Sequence, residues 1–182
     1  MSILFKTEEE IWREKYGYVP FPKDQEEEAR QQVFRAIRAA DHCYYVCGEA
    51  DDLLFDRKAF MIAVDQCLNR GGSFSLVFYR HEDKDEALRQ LNATDNTVLA
   101  RLKEKWGDRF RLYHASVRPI HHFAVFGDQA YMQEEIHDGG KPRRTEFFLR
   151  WPEAAQKAKA VFKQKVREIE SSEIKAGDFS GV

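Results

Sequence analysis

The sequence predicts an α/β fold in which a mixed β-sheet is flanked by helices on both faces. Short apolar segments alternate with amphipathic helical segments over most of the chain, a pattern typical of parallel strands joined by helical crossovers. In the last third, two or three strands follow one another without a helix between them, so the sheet should also contain antiparallel neighbours. The length of 182 residues, with 43% hydrophobic and 13% aromatic residues, favours a single folded domain.

The N-terminal region, residues 1–25, is predicted to form a short helix and an extended arm. Thr7 is a candidate N-cap for a helix over residues 7–16, and Glu10 completes a capping box with it. Gly17 ends this helix. The two prolines that follow keep the next segment extended, because proline restricts its own backbone and that of the preceding residue.

The main domain is predicted to span residues 26–170, followed by a frayed tail over residues 171–182. Its last helix begins with a proline in the first turn, which suits the start of a helix. The apolar periodicity predicts helices at 24–40, 56–70, 85–92, 95–106 and 152–169, and strands at 43–47, 74–79, 109–117, 121–126, 130–133 and 145–149.

Charge and cysteine content exclude several classes of protein. The 29 Lys and Arg nearly balance the 31 Asp and Glu, so no global positive field is available to hold a nucleic acid. No segment is typical of a signal peptide or of a membrane span. Cys43, Cys47 and Cys67 are an odd number without Cys-x-x-Cys spacing, which favours reduced core thiols and a cytoplasmic location.

The segment at 119–132 carries the most informative polar pattern. His121 precedes an apolar strand, and Asp128 follows that strand after a glycine. An imidazole at the start of such a strand can point into a cleft, and a carboxylate at its end can fix the tautomer or charge state of a histidine. The same residues also fit a partly buried, hydrogen-bonded histidine and an ordinary hairpin turn.

The spacing and the order of elements resemble one half of a phospholipase D superfamily domain, whose signature is His-x-Lys-x4-Asp. His121 matches the histidine, Asp128 matches the aspartate, and Phe123 stands at the lysine position. Glu146 is similar to the acidic residue of the family's Asn-x-Glu strand. The resemblance covers roughly residues 26–170.

Two further segments bear on this resemblance. Trp-Pro-Glu-Ala-Ala at 151–155, followed by Phe162, resembles the closing helix of the family. The Gly-Ser segment of the family and the Asn after it should fall near 134–136, where they are absent.

The resemblance implies a chemistry and the residues that would perform it. In the family, a motif histidine attacks phosphorus, a second one protonates the leaving oxygen, and lysines hold the phosphate oxygens. His121, Asp128 and Glu146 would be the catalytic residues here. A phenyl ring at position 123 donates nothing to phosphate, and the loss of one preorganised donor costs about 3 to 4 kcal/mol of transition-state stabilisation.

Two functions follow from this pattern. The favoured one is a catalytically degenerate, non-enzymatic or regulatory domain, in which a cleft around His121, Asp128 and Glu146 binds a phosphate-bearing ligand or only supports a homodimer. The resemblance also implies nucleic acid as a candidate ligand. The alternative is a weak or altered phosphodiesterase or nuclease with His121 as nucleophile. The candidate ligand-binding residues are Arg143, Arg144 and His122, with Lys141 and Arg150 as further cations; all four cations also fit a solvated basic face.

The resemblance also implies a partner copy. The active site of the family is built from two halves, so a single half should form a homodimer about a two-fold axis. The aromatic residues of the N-terminal arm could contribute to that contact or pack on their own chain.

A metal site is the remaining alternative. Adjacent strand residues point to opposite faces, so His121 and His122 cannot easily ligate one ion together, and no helix carries a His-Glu-x-x-His pattern. No metal or cofactor is therefore expected. The side chains considered are His121, His122, Glu134, Glu135, His137 and Asp138.

Overall fold

The structure is a computed structural model that describes residues 6–49, 58–79, 98–117, 119, 121–134 and 144–178, with side-chain surroundings up to residue 171. The helices within these ranges are α1 (Glu8–Tyr16), α2 (Glu26–Ala39), α3 (Lys58–Asn69), α4 (Val98–Trp106) and α5 (Pro152–Asp178). The strands are β1 (Tyr18–Phe21), β2 (His42–Glu49), β3 (Ser73–Tyr79), β4 (Phe110–Ala115), β5 (Phe123–Phe126), β6 (Ala130–Glu134) and β7 (Thr145–Phe148). The predicted helix at 85–92 and the predicted loop at 137–142 lie outside the described residues.

The strands form one seven-stranded mixed sheet in the order β1-β7-β6-β5-β2-β3-β4. Strands β2, β3 and β4 are parallel, and all other neighbours are antiparallel. The predicted α/β class with a mixed sheet is therefore confirmed. Its antiparallel part includes β5, β6 and β7 from the last third of the chain, where the sequence predicted strands in quick succession, and a short turn at 127–129 joins β5 to β6.

Each face of the sheet supports its own hydrophobic core, and β5 contributes to both. Ala124 and Phe126 point towards the face covered by α2, α3 and α4. Phe123 and Val125 point to the opposite face, which α5 covers. We call these the three-helix face and the α5 face.

The buried stripe predicted for the last helix is the one that packs on the sheet. Ala155, Ala158, Phe162 and Ile169 are all buried in the core of the α5 face. The helix ends later than predicted, at Asp178 instead of near residue 169. The scarcity of apolar residues suggested the earlier end, but a helix that is anchored by packing over its first turns can continue through backbone hydrogen bonds without burying further apolar residues.

The N-terminal region contains one confirmed element and one corrected one. Helix α1 begins with the predicted capping box: the Thr7 side chain accepts from the Glu10 backbone N–H, and the Glu10 carboxylate accepts from the Thr7 N–H at 2.7 Å. The following segment was predicted as an extended connection. It is instead β1, an edge strand antiparallel to β7, and the Trp12 ring packs edge-on against Tyr18 at 5.5 Å. The arm therefore packs on its own chain.

All three cysteines are buried and free, as the core-thiol prediction required. The Cys67 thiol donates to the Ala40 carbonyl at 3.2 Å, and burial is the main cause that raises the pKa of Cys43. Gly72 has to be a glycine, because a Cβ there would lie 2.5 Å from the Asp41 carbonyl oxygen. None of the helices in the described ranges is both long and apolar enough to cross a membrane.

Replacing Phe162 should reveal how far the α5 face depends on one ring. Phe162 contacts the rings of Tyr44 at 5.1 Å and Tyr113 at 6.3 Å and is only 3% exposed. We expect Phe162→Ala to lower the free energy of unfolding by about 3 to 5 kcal/mol, measured by urea denaturation, because it leaves a cavity. Val161→Ala is the matched control: Val161 is 45% exposed, so its truncation should cost less than about 1 kcal/mol. Equal losses in the two variants would contradict the packing described here.

Candidate functional site

Several polar side chains meet at one edge of the sheet, where the parallel strands β2, β3 and β4 end. Because β5 runs antiparallel to β2, its first residues lie at this edge. The end of β6 and the start of β7 reach it as well. We call this edge the carboxyl edge; His121, His122, Glu134 and Arg144 all lie along it, on different faces and in different contacts.

His121 is exposed at the carboxyl edge and lines a groove between the sheet and α5, the His121 groove. The groove has a volume of about 560 Å³. Phe123 forms part of its floor, and Lys165 and Glu168 of α5 supply charges on the opposite wall. The remaining walls are mainly apolar, and they comprise Ala115, Ser116, Val117, Pro119, Val161 and Ile169.

Phe123, which the resemblance aligns with the lysine of the His-x-Lys-x4-Asp signature, belongs to the core of the α5 face. Its side chain is 5% exposed, and its ring centre lies 6.5 Å from that of Tyr131. Val46 of β2 is its neighbour on one side and Gln133 of β6 on the other. An ammonium group at this position would lose most of its hydration, which is costly without a paired anion.

Glu146 lies on β7 at the centre of a polar network, and both of its carboxylate oxygens have partners. Its carboxylate accepts hydrogen bonds from the Tyr18 hydroxyl at 2.7 Å and from the Gln133 amide at 2.8 Å. It also forms an ion pair with Arg144 at 3.1 Å. The Arg144 guanidinium donates in turn to the Tyr18 hydroxyl at 2.9 Å, and Tyr131 donates to Gln133 at 3.2 Å.

Glu146 and His121 share the carboxyl edge but not a pocket. Phe123, Gln133 and Glu146 occupy one row across β5, β6 and β7. Two strand spacings therefore separate the Phe123 and Glu146 positions, which is about 10 Å. Glu146 is absent from the described residues that line the His121 groove.

His122 lies on the other face of the sheet and is buried. Its Nδ1 is 3.3 Å from the Glu134 carboxylate, and the Glu134 backbone N–H donates to the His122 carbonyl at 3.0 Å. The imidazole also packs on Gly48, where a Cβ would lie 3.0 Å from the ring. A ligand in the His121 groove therefore does not reach the His122 ring.

Asp128 lies at the opposite edge of the sheet from His121. The extended β5 separates the two residues by roughly 15 to 20 Å, given about 3.3 Å per strand residue. The interpretation in which Asp128 fixes the tautomer or charge state of His121 is therefore wrong. Asp128 follows the turn glycine Gly127, is 77% exposed, and contacts His42 Nε2 at 3.2 Å and Lys159 Nζ at 3.5 Å.

The other predicted cations differ in their surroundings. Arg144 is half exposed, and its hydrogen bond with Tyr18 is the main cause that raises the pKa of the guanidinium. Arg150 donates to the Glu14 carbonyl at 3.2 Å, away from the carboxyl edge. Lys141 and Arg143 lie outside the described residues.

The metal alternative receives no support from the residues that the structure describes, since no group of three or more His, Cys, Asp or Glu side chains among them could hold an ion. Glu135, His137 and Asp138 lie outside those residues.

The sequence interpretation missed Gln133, Lys165 and the pairing of His122 with Glu134. A signal for two of them was available. Once the turn at 127–129 defines a hairpin, its register places residue 133 opposite 123 and residue 134 opposite 122. Lys165 carries no such signal, because its approach to His121 depends on how α5 crosses the sheet.

Among known proteins, only solved structures resemble this chain. No protein-family model matches the chain, and no curated protein matches its sequence. Solved structures do match. The chain is similar to Nuc from Salmonella typhimurium, a phospholipase D family member, with a TM-score of 0.54 and 13% identity over 81% of this chain and 91% of Nuc.

Two larger proteins share the fold. The archaeal chromatin protein TrmBL2, whose structure shows a mode of DNA binding, matches with a TM-score of 0.55 and 11% identity over 88% of this chain and 54% of TrmBL2. Polyphosphate kinase from Porphyromonas gingivalis matches with a TM-score of 0.56 and 9% identity over 89% of this chain and 27% of the kinase. At these identities the likeness shows a shared fold and nothing beyond it.

The network around Glu146 predicts an unusual titration of Tyr18. Burial is the main cause that raises the Tyr18 pKa above its ordinary value of 10.0; the hydrogen bond to Glu146 adds to it, and Arg144 opposes it. The folded state therefore holds this proton more tightly than the unfolded state. Its contribution to stability is complete below pH 10 and is lost as the pH rises through the Tyr18 pKa.

Absorbance of the phenolate, with Tyr18→Phe subtracted from the wild type, isolates this titration. We expect a midpoint above that of free tyrosine, which Glu146→Gln lowers without restoring the ordinary value, since burial remains. A Tyr18 midpoint at or below 10.0 would refute the network.

Proposed function

We propose that this chain is a non-catalytic domain that binds a phosphate-bearing organic ligand in the His121 groove. The observation that carries the proposal is the composition of the groove: an apolar floor and walls, with the imidazole of His121 and the ammonium of Lys165 at its rim. A mainly apolar cleft of this size with a few convergent polar groups is typical of small-molecule sites.

The charges in the groove favour one phosphate group attached to an apolar body. Lys165 can act as a point charge for phosphate oxygens, and His121 can donate from its ring. Glu168 on the same wall repels a second anionic group. Val117 and Val161 provide surface for an organic substituent.

The names of the structural neighbours support a phosphate-containing ligand. One is a phospholipase D family member, one is a polyphosphate kinase, and one is described by its binding of DNA. Each of these names refers to a molecule that contains phosphate. Fold likeness of this kind is an analogy, so the chemistry of the groove carries the main weight.

The residues around His121 favour binding over turnover. Phosphoryl transfer needs preorganised donors around the developing charge. Phe123 supplies none, and the Glu146 carboxylate is occupied by Tyr18, Gln133 and Arg144. The second candidate, a weak phosphodiesterase with His121 as nucleophile, is favoured by one observation: the exposed imidazole is accessible to a substrate.

Phenyl phosphate tests the binding proposal. Calorimetric titration should show saturable binding to the wild type, weakened about 10- to 100-fold by Lys165→Ala, because a charge-assisted hydrogen bond is lost. Lys157→Ala, an exposed lysine on the same helix, is the charge-matched control and should bind as the wild type does. Binding that is absent, or equally strong in Lys165→Ala, would overturn the proposal.

The same preparations separate binding from catalysis. Release of nitrophenol from bis(nitrophenyl) phosphate should be the same in the wild type and in His121→Ala, at the background rate. Turnover in the wild type that His121→Ala abolishes would favour the phosphodiesterase instead.

We further propose that the chain forms a homodimer through the apolar surface at the His121 groove itself, with the second copy covering part of the groove. Val117 and Val161 are 78% and 45% exposed there, and a two-fold copy would remove this apolar surface from water. We expect sedimentation equilibrium to give a dimer that Val117→Asp dissociates, with Ile62→Asp as the control at another exposed apolar residue. A wild-type monomer at all concentrations tested would rule this interface out.

A further inference from the structure

We infer that a second groove, on the other flank of α5, is a binding site for a nucleoside phosphate. It lies between α5 and strands β3 and β4, has a volume of about 520 Å³, and is lined by Arg111, so we call it the Arg111 groove. This inference does not depend on the function proposed for the His121 groove. The two grooves share no lining residue among those described.

Helix geometry keeps the two grooves apart. Successive helical residues are about 100° apart around the axis, so Lys163 and Lys165 point to flanks about 160° from each other. Lys163 lines the Arg111 groove, and Lys165 lines the His121 groove. The Arg111 groove also includes the start of β3 at Ser73, which lies at the opposite edge of the sheet from His121.

The floor of the Arg111 groove is aromatic. Tyr44, Tyr113 and Phe162 line it, and the Phe162 ring lies 5.1 Å from Tyr44 and 6.3 Å from Tyr113. Ser75 lies between Tyr44 and Arg111 in one row across β2, β3 and β4. A planar base can pack on the half-buried rings of Tyr44 and Tyr113, since every base has a π-face, and their hydroxyl groups can bond its edges. Phe162 is 3% exposed and supports these two rings from within the core.

The rim of the groove is cationic from both sides. Arg111 projects from β4, and Lys163 and Arg167 lie one helical turn apart on α5. Within the part of the chain that the structure describes, no carboxylate forms an ion pair with any of these three side chains. Arg111 Nε donates to the Asp108 carbonyl at 2.9 Å, which orients the guanidinium and leaves its two terminal nitrogens for other acceptors. These nitrogens, together with Lys163 and Arg167, can direct N–H groups to phosphate oxygens, for which an arginine fork is well suited.

A fourth cation is held in place by the backbone. The Arg109 guanidinium donates to the carbonyls of Gly72, at 3.3 Å, and of Leu68, and it lies over the Trp106 ring at 5.1 Å. Carbonyls and a ring orient this charge without neutralising it. The arrangement resembles a preorganised anion site, which loses little side-chain entropy on binding.

Two carboxylates in the groove favour a single nucleotide over a nucleic-acid strand. Asp108 and Glu170 also line the groove. They would repel the continuous phosphate backbone of a nucleic-acid strand, whereas they can accept hydrogen bonds from the hydroxyls of a ribose. The combination of rings, cations and carboxylates therefore favours a free nucleotide over a strand.

Titration with ADP tests the inference, followed by calorimetry and by the NMR signals of the Tyr44 and Tyr113 rings. We expect saturable binding to the wild type, with shifts of both ring signals. The double variant Arg111→Ala/Lys163→Ala should weaken binding by about 100-fold or more, because two charge-assisted contacts are lost. Both side chains are exposed, so the fold should survive, and urea denaturation of the variant checks this.

The controls separate this site from the His121 groove. Lys157→Ala should bind ADP as the wild type does, and Lys165→Ala should keep the shifts of the two tyrosine rings. ADP binding that Lys165→Ala removes but the double variant keeps would overturn the inference and leave the phenyl phosphate result untouched.

Three other outcomes would also overturn it: no saturable binding of ADP, binding of inorganic diphosphate as tight as that of ADP, or binding of single-stranded oligothymidylate tighter than that of ADP. Equally tight binding of inorganic diphosphate would mean that the aromatic floor contributes nothing to binding. Tighter binding of oligothymidylate would mean that the two carboxylates do not exclude a strand.

Discussion

Burial of β5 on both faces is the constraint on which the rest of the structure depends. The four residues of this strand are all buried, with Phe123 and Val125 under α5 and Ala124 and Phe126 under the three-helix face. A strand in this position has no room for a charged side chain along its length. Polar groups are therefore displaced to its two ends, where the sheet meets solvent.

This displacement determines what each end of β5 can do. At the carboxyl edge, His121 is exposed, whereas His122 is buried beside Glu134, because neighbouring strand residues point to opposite faces. At the other end, Asp128 forms a surface contact with His42 and Lys159. The histidine and the aspartate of the family-like spacing thus lie in separate environments, and the carboxylate network near the carboxyl edge is built on Glu146 instead.

Helix α5 organises the remaining surface. Its buried stripe is narrow, so the side chains on either flank stand over the sheet and form the walls of a groove on each side. One groove is mainly apolar with a single lysine among its described lining residues, and the other combines rings with several cations. The same helix therefore stabilises the fold and gives the α5 face two chemically different grooves. Proteins that share a fold can differ in such surface sites, which is why the fold alone does not determine the function.

The sequence by itself determined the class of the fold, the stripe of α5, the capping box of α1 and the burial of the cysteines. Each of these follows from local periodicity or from residue chemistry that acts over a few positions. It also singled out His121 and Glu146 as candidate site residues, but it could not predict the distance between them. That distance depends on the strand order β7-β6-β5, a property of long-range pairing.

Only the tertiary structure decided that Asp128 lies far from His121, that the N-terminal arm adds an edge strand to β7, and that Lys165 faces one groove while Lys163 faces the other. The physical reason is the same in each case. Side chains far apart in sequence become neighbours only through strand register and helix placement, which are decided by burial of the whole sheet and not by any single segment.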